Sequence, residues 1–371
     1  MDKADGNFIE SHIKVISEER KGVVLFVKGI VGFKGNSLQI STSGNLTVYK
    51  RYFKNYTGPL GRMCNVLRYI LLQFVLYRKI KREHGRPSIS HVHVMARSSI
   101  LAYCLQKFHK IPFIVSEHWA GYYPESKKLS GLKKRIYAHI LNRASGLTCV
   151  STSLANAIKN IGVRNEITVI PNVVDRIFLT TSFKDAPNDR INIIHISNLI
   201  KDVKRVHVII ETLEKLSLEY KEIYLTVVGD GPDRIDLEKL AAQQVNMKNK
   251  TRFTGDLTHE EIASLLQDSL FTVLFSVFET QSIILIESIA MGVPVLAPAV
   301  GGIPEHFSDK GILFEANSEN GLEKAIRKMI DDKPTYNKSE MREYAREHFS
   351  NQHINEQFAR LYASLSDKLD A

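Results

Sequence analysis

Eleven short runs of β-branched and apolar residues recur along this 371-residue chain, set between longer stretches of helical pattern. Five lie in the first half, at 23–27, 89–94, 113–115, 146–150 and 168–170. Six lie in the second, at 191–196, 223–228, 252–254, 271–275, 294–297 and 311–314. Strands that alternate with helices of this length build βαβ units, whose crossovers lay the strands parallel. A chain this long exceeds what one core serves, and a polar stretch at 182–189, with Pro187, divides the two sets of runs. The expected architecture is α/β with two doubly wound domains, 1–175 and 182–349. A C-terminal helix at about 350–371 is expected to pack back on the first domain.

Charge separates the halves as well. Residues 1–175 carry 27 Lys and Arg against 10 Asp and Glu, a net +17; residues 176–371 carry 23 against 30, a net −7. The first half is therefore expected to meet something anionic: nucleic acid, a membrane surface or an acidic acceptor. A lysine-rich solvated face is the plainer alternative. No nucleic-acid recognition motif accompanies the basic half, so nucleic acid is not expected as a partner. The opening residues, Met1 to Asp5, do not read as a signal peptide, and the longest apolar run near them, 69–77, is too short to span a bilayer. Cys64, Cys104 and Cys149 show no CxxC pairing, which fits a reducing cytoplasm.

The densest chemistry lies between Ser276 and Glu305. The apolar run 271–275 ends in a polar turn carrying Glu279, and a helix is expected from about Ser282, with Thr280 and Ser282 as available N-caps. Free amides and the dipole at such a helix start favour an anion. Glu287 follows Glu279 by eight residues. Two carboxylates beside a phosphate cradle make sense if hydroxyl-rich groups flank the phosphate on both sides. A nucleotide sugar has that form, with ribose on one side and hexose on the other. Gly292 ends the helix, and Gly301-Gly302 allows another close backbone approach.

This Glu279-x7-Glu287 spacing, followed by Ala290-Met291-Gly292-Val293-Pro294-Val295 and Gly301-Gly302-Ile303-Pro304-Glu305, resembles the retaining family-four (group 1) glycosyltransferases of the GT-B fold. Val228-Gly229-Asp230-Gly231-Pro232 looks like that family's strand-end glycine turn, and Phe253-Thr254-Gly255-Asp256-Leu257 like its base-side loop. Ile196-Ser197-Asn198-Leu199 with Lys204 resembles its phosphate-binding turn, and 170–175 its interdomain crossing. In the first half, His91-Val92-His93, Ser116-Glu117-His118-Trp119 and Val150-Ser151 fall in the family's order.

The resemblance implies two Rossmann-like domains facing a cleft, and roles for individual residues. Glu279 would touch the transferred sugar, Glu287 the ribose, and Lys204 the diphosphate. His118 would meet the donor sugar from the first domain. Asn198, Gly229, Gly255, Leu257, Gln281, Ser282 and Ile283 would complete the donor site, and Gly6, Asn7 and Trp119 would lie on the acceptor side. The family often has arginine where this chain has Asn198, so charge compensation rests more heavily on Lys204 and helix amides. Trp119 with Tyr122 and Tyr123 forms either an acceptor platform or simple packing. His91 and His93 alternate on one strand without further ligands in view, so a structural role is expected of them. Glu305 reads as a helix-start residue. No DxD-like pair is visible, and neither metal nor other cofactor is expected.

One departure from the family pattern concerns the start. Gly6-Asn7-Phe8 resembles the loop after the family's first strand, yet only five polar-leaning residues precede it. The N-terminal domain is expected to lack that central strand, through a truncated or misassigned start, and to be unstable or acceptor-deficient. The implied function is retaining transfer of a hexose-type sugar from a nucleotide-sugar donor to a glycan or lipid-linked acceptor. The setting would be cell-surface polysaccharide or lipopolysaccharide synthesis, in the cytoplasm or on the inner face of its membrane. Two alternatives remain: a nucleotide-sugar-binding remnant with weak turnover, and a GT-B nucleotide-sugar epimerase.

Overall fold

The computed structural model describes residues 7–33, 35–95, 97–184, 190–332 and 335–370. Its first half runs α1 (Asn7–Ser17), β1 (Gly22–Val31), β2 (Asn36–Ser43), β3 (Leu46–Asn55), α2 (Gly58–His84), β4 (Ser90–His93), α3 (Ser98–His109), β5 (Phe113–Glu117), α4 (Gly131–Leu141), β6 (Gly146–Cys149), α5 (Thr152–Lys159) and β7 (Thr168–Val169). The second runs α6 (Arg176–Thr180), β8 (Ile191–Ile196), α7 (Lys201–Lys204), α8 (Val206–Leu216), β9 (Ile223–Val228), α9 (Arg234–Gln243), β10 (Thr251–Gly255), α10 (His259–Gln267), β11 (Phe271–Val273), α11 (Ile283–Ala290), β12 (Val295–Pro298), α12 (Ile303–Phe307), β13 (Gly311–Phe314) and α13 (Glu319–Asp331). Helices α14 (Lys338–Phe349) and α15 (Asn351–Asp370) close the chain.

The second half is built on one six-stranded sheet of order β10-β9-β8-β11-β12-β13, every pair parallel. Its strands are apolar on both faces because both faces are covered. Ile193, Leu225 and Val227 point into a core with α8, α9 and α13, while Ile194, Ile196 and Val228 point into one with α6, α10, α11, α12 and α14. Phe271 and Phe307 are fully buried there, and each such side chain contributes about 1.5–3 kcal/mol. Strand order reverses between β8 and β11. That switch point leaves a crevice beyond the strand ends, where ligands of open α/β sheets bind.

The first half divides between two sheets. Strands β4-β5-β6-β7 are parallel, and their core includes Phe113, Val115, Leu141 and Leu154. A second sheet, β1-β3-β2, pairs β1 with β3 parallel and β3 with β2 antiparallel, and packs through Val27, Tyr49 and Phe53 on Leu76 and Ile80 of α2. Among the described residues no strand is hydrogen-bonded to both sheets. The hairpin of β2 and β3 is not expected from the sequence, and it fills much of the interval between the first two predicted strands. Helix α15 packs on α1, with Val15, Ile170, Val173, Ile354 and Phe358 as the shared core.

Candidate functional site

The site forms around the ends of β8 and β11. His195, buried near the end of β8, donates from Nδ1 to Val273 O of β11 at 2.9 Å. A carbonyl only accepts, so the proton is on Nδ1 and Nε2 faces Ser197 Oγ at 2.8 Å. Burial drives this imidazole down to about 4, against the opposing pull of the Val273 carbonyl. In the sequence His195 carries no signal beyond one histidine inside an apolar strand, and no motif points to it.

Beyond these ends, the two loops meet. Lys204 Nζ, at the end of α7, donates to Glu279 Oε1 at 2.6 Å, and both side chains are largely buried, 17% and 12% exposed. The residues assigned separately to diphosphate and sugar are thus paired with each other. Two glycines permit the loop geometry. Gly229 has φ +116°, and a Cβ there would lie 2.0 Å from Ser197 O. Gly301 has φ +53°, and its Cβ would lie 1.7 Å from Glu279 O. Neither position admits a side chain without displacing a site loop.

Helix α11 begins at Ile283, and Ser282 occupies its N-cap without making a side-chain cap bond. Ser282 is thus the N-cap that the sequence offers, and no side-chain cap bond competes for the first-turn amides. Gln281 Oε1 instead accepts from Asn172 N at 2.7 Å, reaching the crossing segment. Glu287 lies in the second turn, 3% exposed, with Oε2 unpartnered. Burial, reinforced by the nearby charge of Asp175, pushes its carboxyl up to about 8. Ile283 is half-buried, Asn198 is exposed at the β8 loop, and Gly229 N donates to Gly255 O at 2.9 Å. That bond joins the β9 and β10 loops, and Leu257 follows, half-buried, just before α10.

From the first half, His118 follows β5, 7% exposed, with no partner at close hydrogen-bond geometry on either ring nitrogen and only the Asn172 side chain near enough for a weak one. Its neighbours are Phe8, with ring centroids 4.7 Å apart, and His12, at 5.0 Å. Asn172 lies against it. Burial and the adjacent His12 hold His118 well below the usual imidazole value. Glu117 turns the other way: its Oε1 accepts from Met95 N and Tyr122 OH, both at 2.7 Å, and burial raises it to about 7. Tyr122 and Tyr123 are buried and Trp119 packs on Tyr122 and Tyr137, so the packing alternative describes these rings. Asn7 starts α1, and Gly6 lies outside the described residues.

Glu305 does more than start a helix. Its carboxylate accepts from Thr152 N at 2.9 Å and Ser153 N at 2.8 Å, capping α5 of the opposite half. Sequence could not reveal this, because the partners lie 153 and 152 residues away. His91, expected to be structural, is bonded through Nδ1 to Tyr362 OH and through Nε2 to Ser116 Oγ, both at 2.7 Å. The neighbours that His93 lacks in the sequence are supplied by the fold: His12 and His118 stand with it in one cluster.

Comparison with known proteins places two family models on the chain. The family model described as "Glycosyl transferases group 1" matches residues 180–348, and that described as "Glycosyltransferase Family 4" matches residues 42–177. N-acetyl-alpha-D-glucosaminyl L-malate synthase of Bacillus anthracis is 30% identical over 235 residues, 60% of this chain and 60% of its own. Sulfoquinovosyl transferase SQD2 of Arabidopsis thaliana is 25% identical over 305 residues, 76% of this chain and 58% of its own. The matches thus span less than two thirds of either relative's length. Among solved structures, Anabaena HepE in complex with UDP-glucose superposes with a TM-score of 0.66 at 21% identity, covering 85% of this chain and 86% of that one.

Proposed function

Since the chain belongs to the group 1, family-four glycosyltransferases of the GT-B fold, we propose that it moves a hexose-type sugar from a nucleotide-sugar donor to a glycan or lipid-linked acceptor, with retention at the anomeric carbon. One observation carries the reading: a largely buried Lys204–Glu279 pair and a buried, half-unpartnered Glu287 flank the uncapped start of α11 at the switch point.

In this reading the diphosphate lies over the α11 amides and exchanges onto Lys204, which releases Glu279 to take sugar hydroxyls. Charge-assisted bonds of this kind contribute about 1.5–3 kcal/mol and strengthen as the leaving phosphate gains charge. Glu287 accepts from ribose hydroxyls, satisfying its free oxygen. Asn198, Gly229, Gly255, Leu257, Gln281, Ser282 and Ile283 line the nucleotide and sugar. His118 meets the sugar from the other half, and the acceptor enters beside it, on the side of Asn7 and Trp119. The acceptor hydroxyl attacks from the face the diphosphate leaves, and a phosphate oxygen takes its proton. Lys204 and helix amides supply the compensation, so the transfer step calls for no metal at the diphosphate.

Helix α2 supports a membrane setting. Leu60, Met63, Leu67, Leu71 and Val75 form an exposed stripe at helical spacing, 51–76% exposed, with Arg62, Arg78, Lys81 and Arg82 exposed on the same helix. No described helix is long and apolar enough to cross a membrane. An apolar stripe beside cations suits a helix lying on anionic lipid, where a lipid-linked acceptor is met.

The deciding experiment is calorimetric titration with UDP, GDP and their hexose conjugates, followed by NMR of the product formed from the tightest donor. An α-linked product from an α-donor is expected. Absence of binding to every nucleotide sugar sinks the proposal, and an epimerised donor formed without acceptor moves it to the epimerase class.

A further inference from the structure

We propose that His12, His93 and His118 form a binding site for one divalent transition-metal ion of the zinc type. The three residues come from α1, the end of β4 and the loop after β5, and one ring nitrogen of each lies within 4.8 Å of the others.

Hydrogen bonding shows why these nitrogens need a ligand. His12 Nε2 donates to Pro171 O at 2.9 Å, which places the proton on Nε2 and the lone pair on Nδ1. That Nδ1 is buried and has no partner. A ligating histidine held by a backbone carbonyl through its other nitrogen is the usual outer-shell arrangement of metal sites. His93 Nδ1 and both nitrogens of His118 are buried without partners too. Buried polar atoms are otherwise nearly always satisfied, so an unpartnered nitrogen on each of three adjacent rings marks a place suited to a ligand. His91, whose ring stacks on His93 at 4.3 Å, is excluded as a ligand because both its nitrogens are engaged.

The donor set selects the ion. Three neutral imidazoles with no carboxylate or thiolate suit zinc, cobalt, nickel or copper and not magnesium or calcium. Nitrogens bound tetrahedrally at about 2.0–2.1 Å stand about 3.3 Å apart, so the rings need only draw together. Three protein ligands leave a fourth position open. Asn172, whose Oδ1 is also buried and unpartnered, stands beside it against His118. Because His118 is the residue assigned to the donor sugar, metal and sugar would exclude each other. That consequence rests on the proposed transferase; the metal site itself does not.

The test uses the full chain after chelator treatment, titrated with Co2+ and then Zn2+, with no donor present. One Co2+ per chain is expected, with the visible absorption of a tetrahedral site, displaced by Zn2+. H12Q and H93Q should each weaken binding at least tenfold, while exposed His109→Gln leaves it unchanged. Thermal unfolding without metal checks that each variant folds, and if one does not, the other carries the test. Failure of the unmodified chain to bind Co2+, or wild-type binding by a folded H12Q or H93Q, overturns the proposal.

Discussion

Lys204 Nζ lies 2.6 Å from Glu279 Oε1, joining the loop after β8 to the loop after β11 across the point where strand order reverses. The pair holds two loops 75 residues apart in one geometry, and a diphosphate would have to share or break it.

Replacing one member strands the other. K204M should destabilise the chain by about 2–3 kcal/mol in urea, because it leaves Glu279 largely buried and unpaired. Donor diphosphate affinity should fall about 10- to 100-fold by calorimetry. The double variant K204M/E279Q should recover much of the stability and none of the affinity. Parallel recovery of both would show that the lysine acts only as a structural partner.

Glu287 makes stability depend on pH. Its folded carboxyl is raised to about 8 from a value near 4.5, so the folded state holds more protons between those limits and stability falls as pH rises through that window. The loss is on the order of 4 kcal/mol by pH 8. E287Q should flatten the curve above pH 7 and reduce its fall below pH 7 to the share of Glu117, which is raised to about 7. Ribose hydroxyls donating to Glu287 would lower it again. Nucleotide binding near pH 7 should then release protons, seen as a buffer-dependent calorimetric enthalpy.

E305A removes two bonds that link the halves. A loss of about 1 kcal/mol is expected, as for a helix cap, with faster hydrogen exchange at the amides of 152 and 153. Unchanged exchange there would mean that another group holds the α5 terminus.

G301A forces a Cβ to within 1.7 Å of Glu279 O at a positive φ. Stability should fall by more than about 2 kcal/mol. Donor affinity should fall with it, since the displaced carbonyl belongs to the residue paired with Lys204.

L67D with L71D places charge on the exposed face of α2, where folding stability should change by less than about 0.5 kcal/mol per site. Sedimentation with vesicles containing anionic lipid should drop, and the unmodified chain should lose binding as salt rises. Binding indifferent to both changes would assign the stripe to another partner.

Most strands of the second half are legible because they are compact apolar runs buried on both faces; β10, with Arg252 exposed, is the exception. Those of the β2–β3 hairpin are not: Asn36–Ser43 sets Leu38 and Ile40 among Ser, Thr and Gln, and every side chain from Gln39 to Ser43 is exposed. Only Gly44-Asn45 marks the turn. At the site, the motif spacing singles out Lys204, Glu279 and Glu287 individually. It cannot show that the first two pair, since nothing local connects positions 204 and 279. His12 reads as one more helix residue, because only the packing of α1 against the ends of β4 and β5 carries it to His93 and His118.

The division of the first half between two sheets has a practical consequence. Strands β1 and β4 each end a sheet, and among the described residues neither has a neighbour on its outer side. Rows of free amides and carbonyls of that kind recruit strands from other molecules. Concentrated preparations should therefore lose protein by edge-to-edge self-assembly from the N-terminal half.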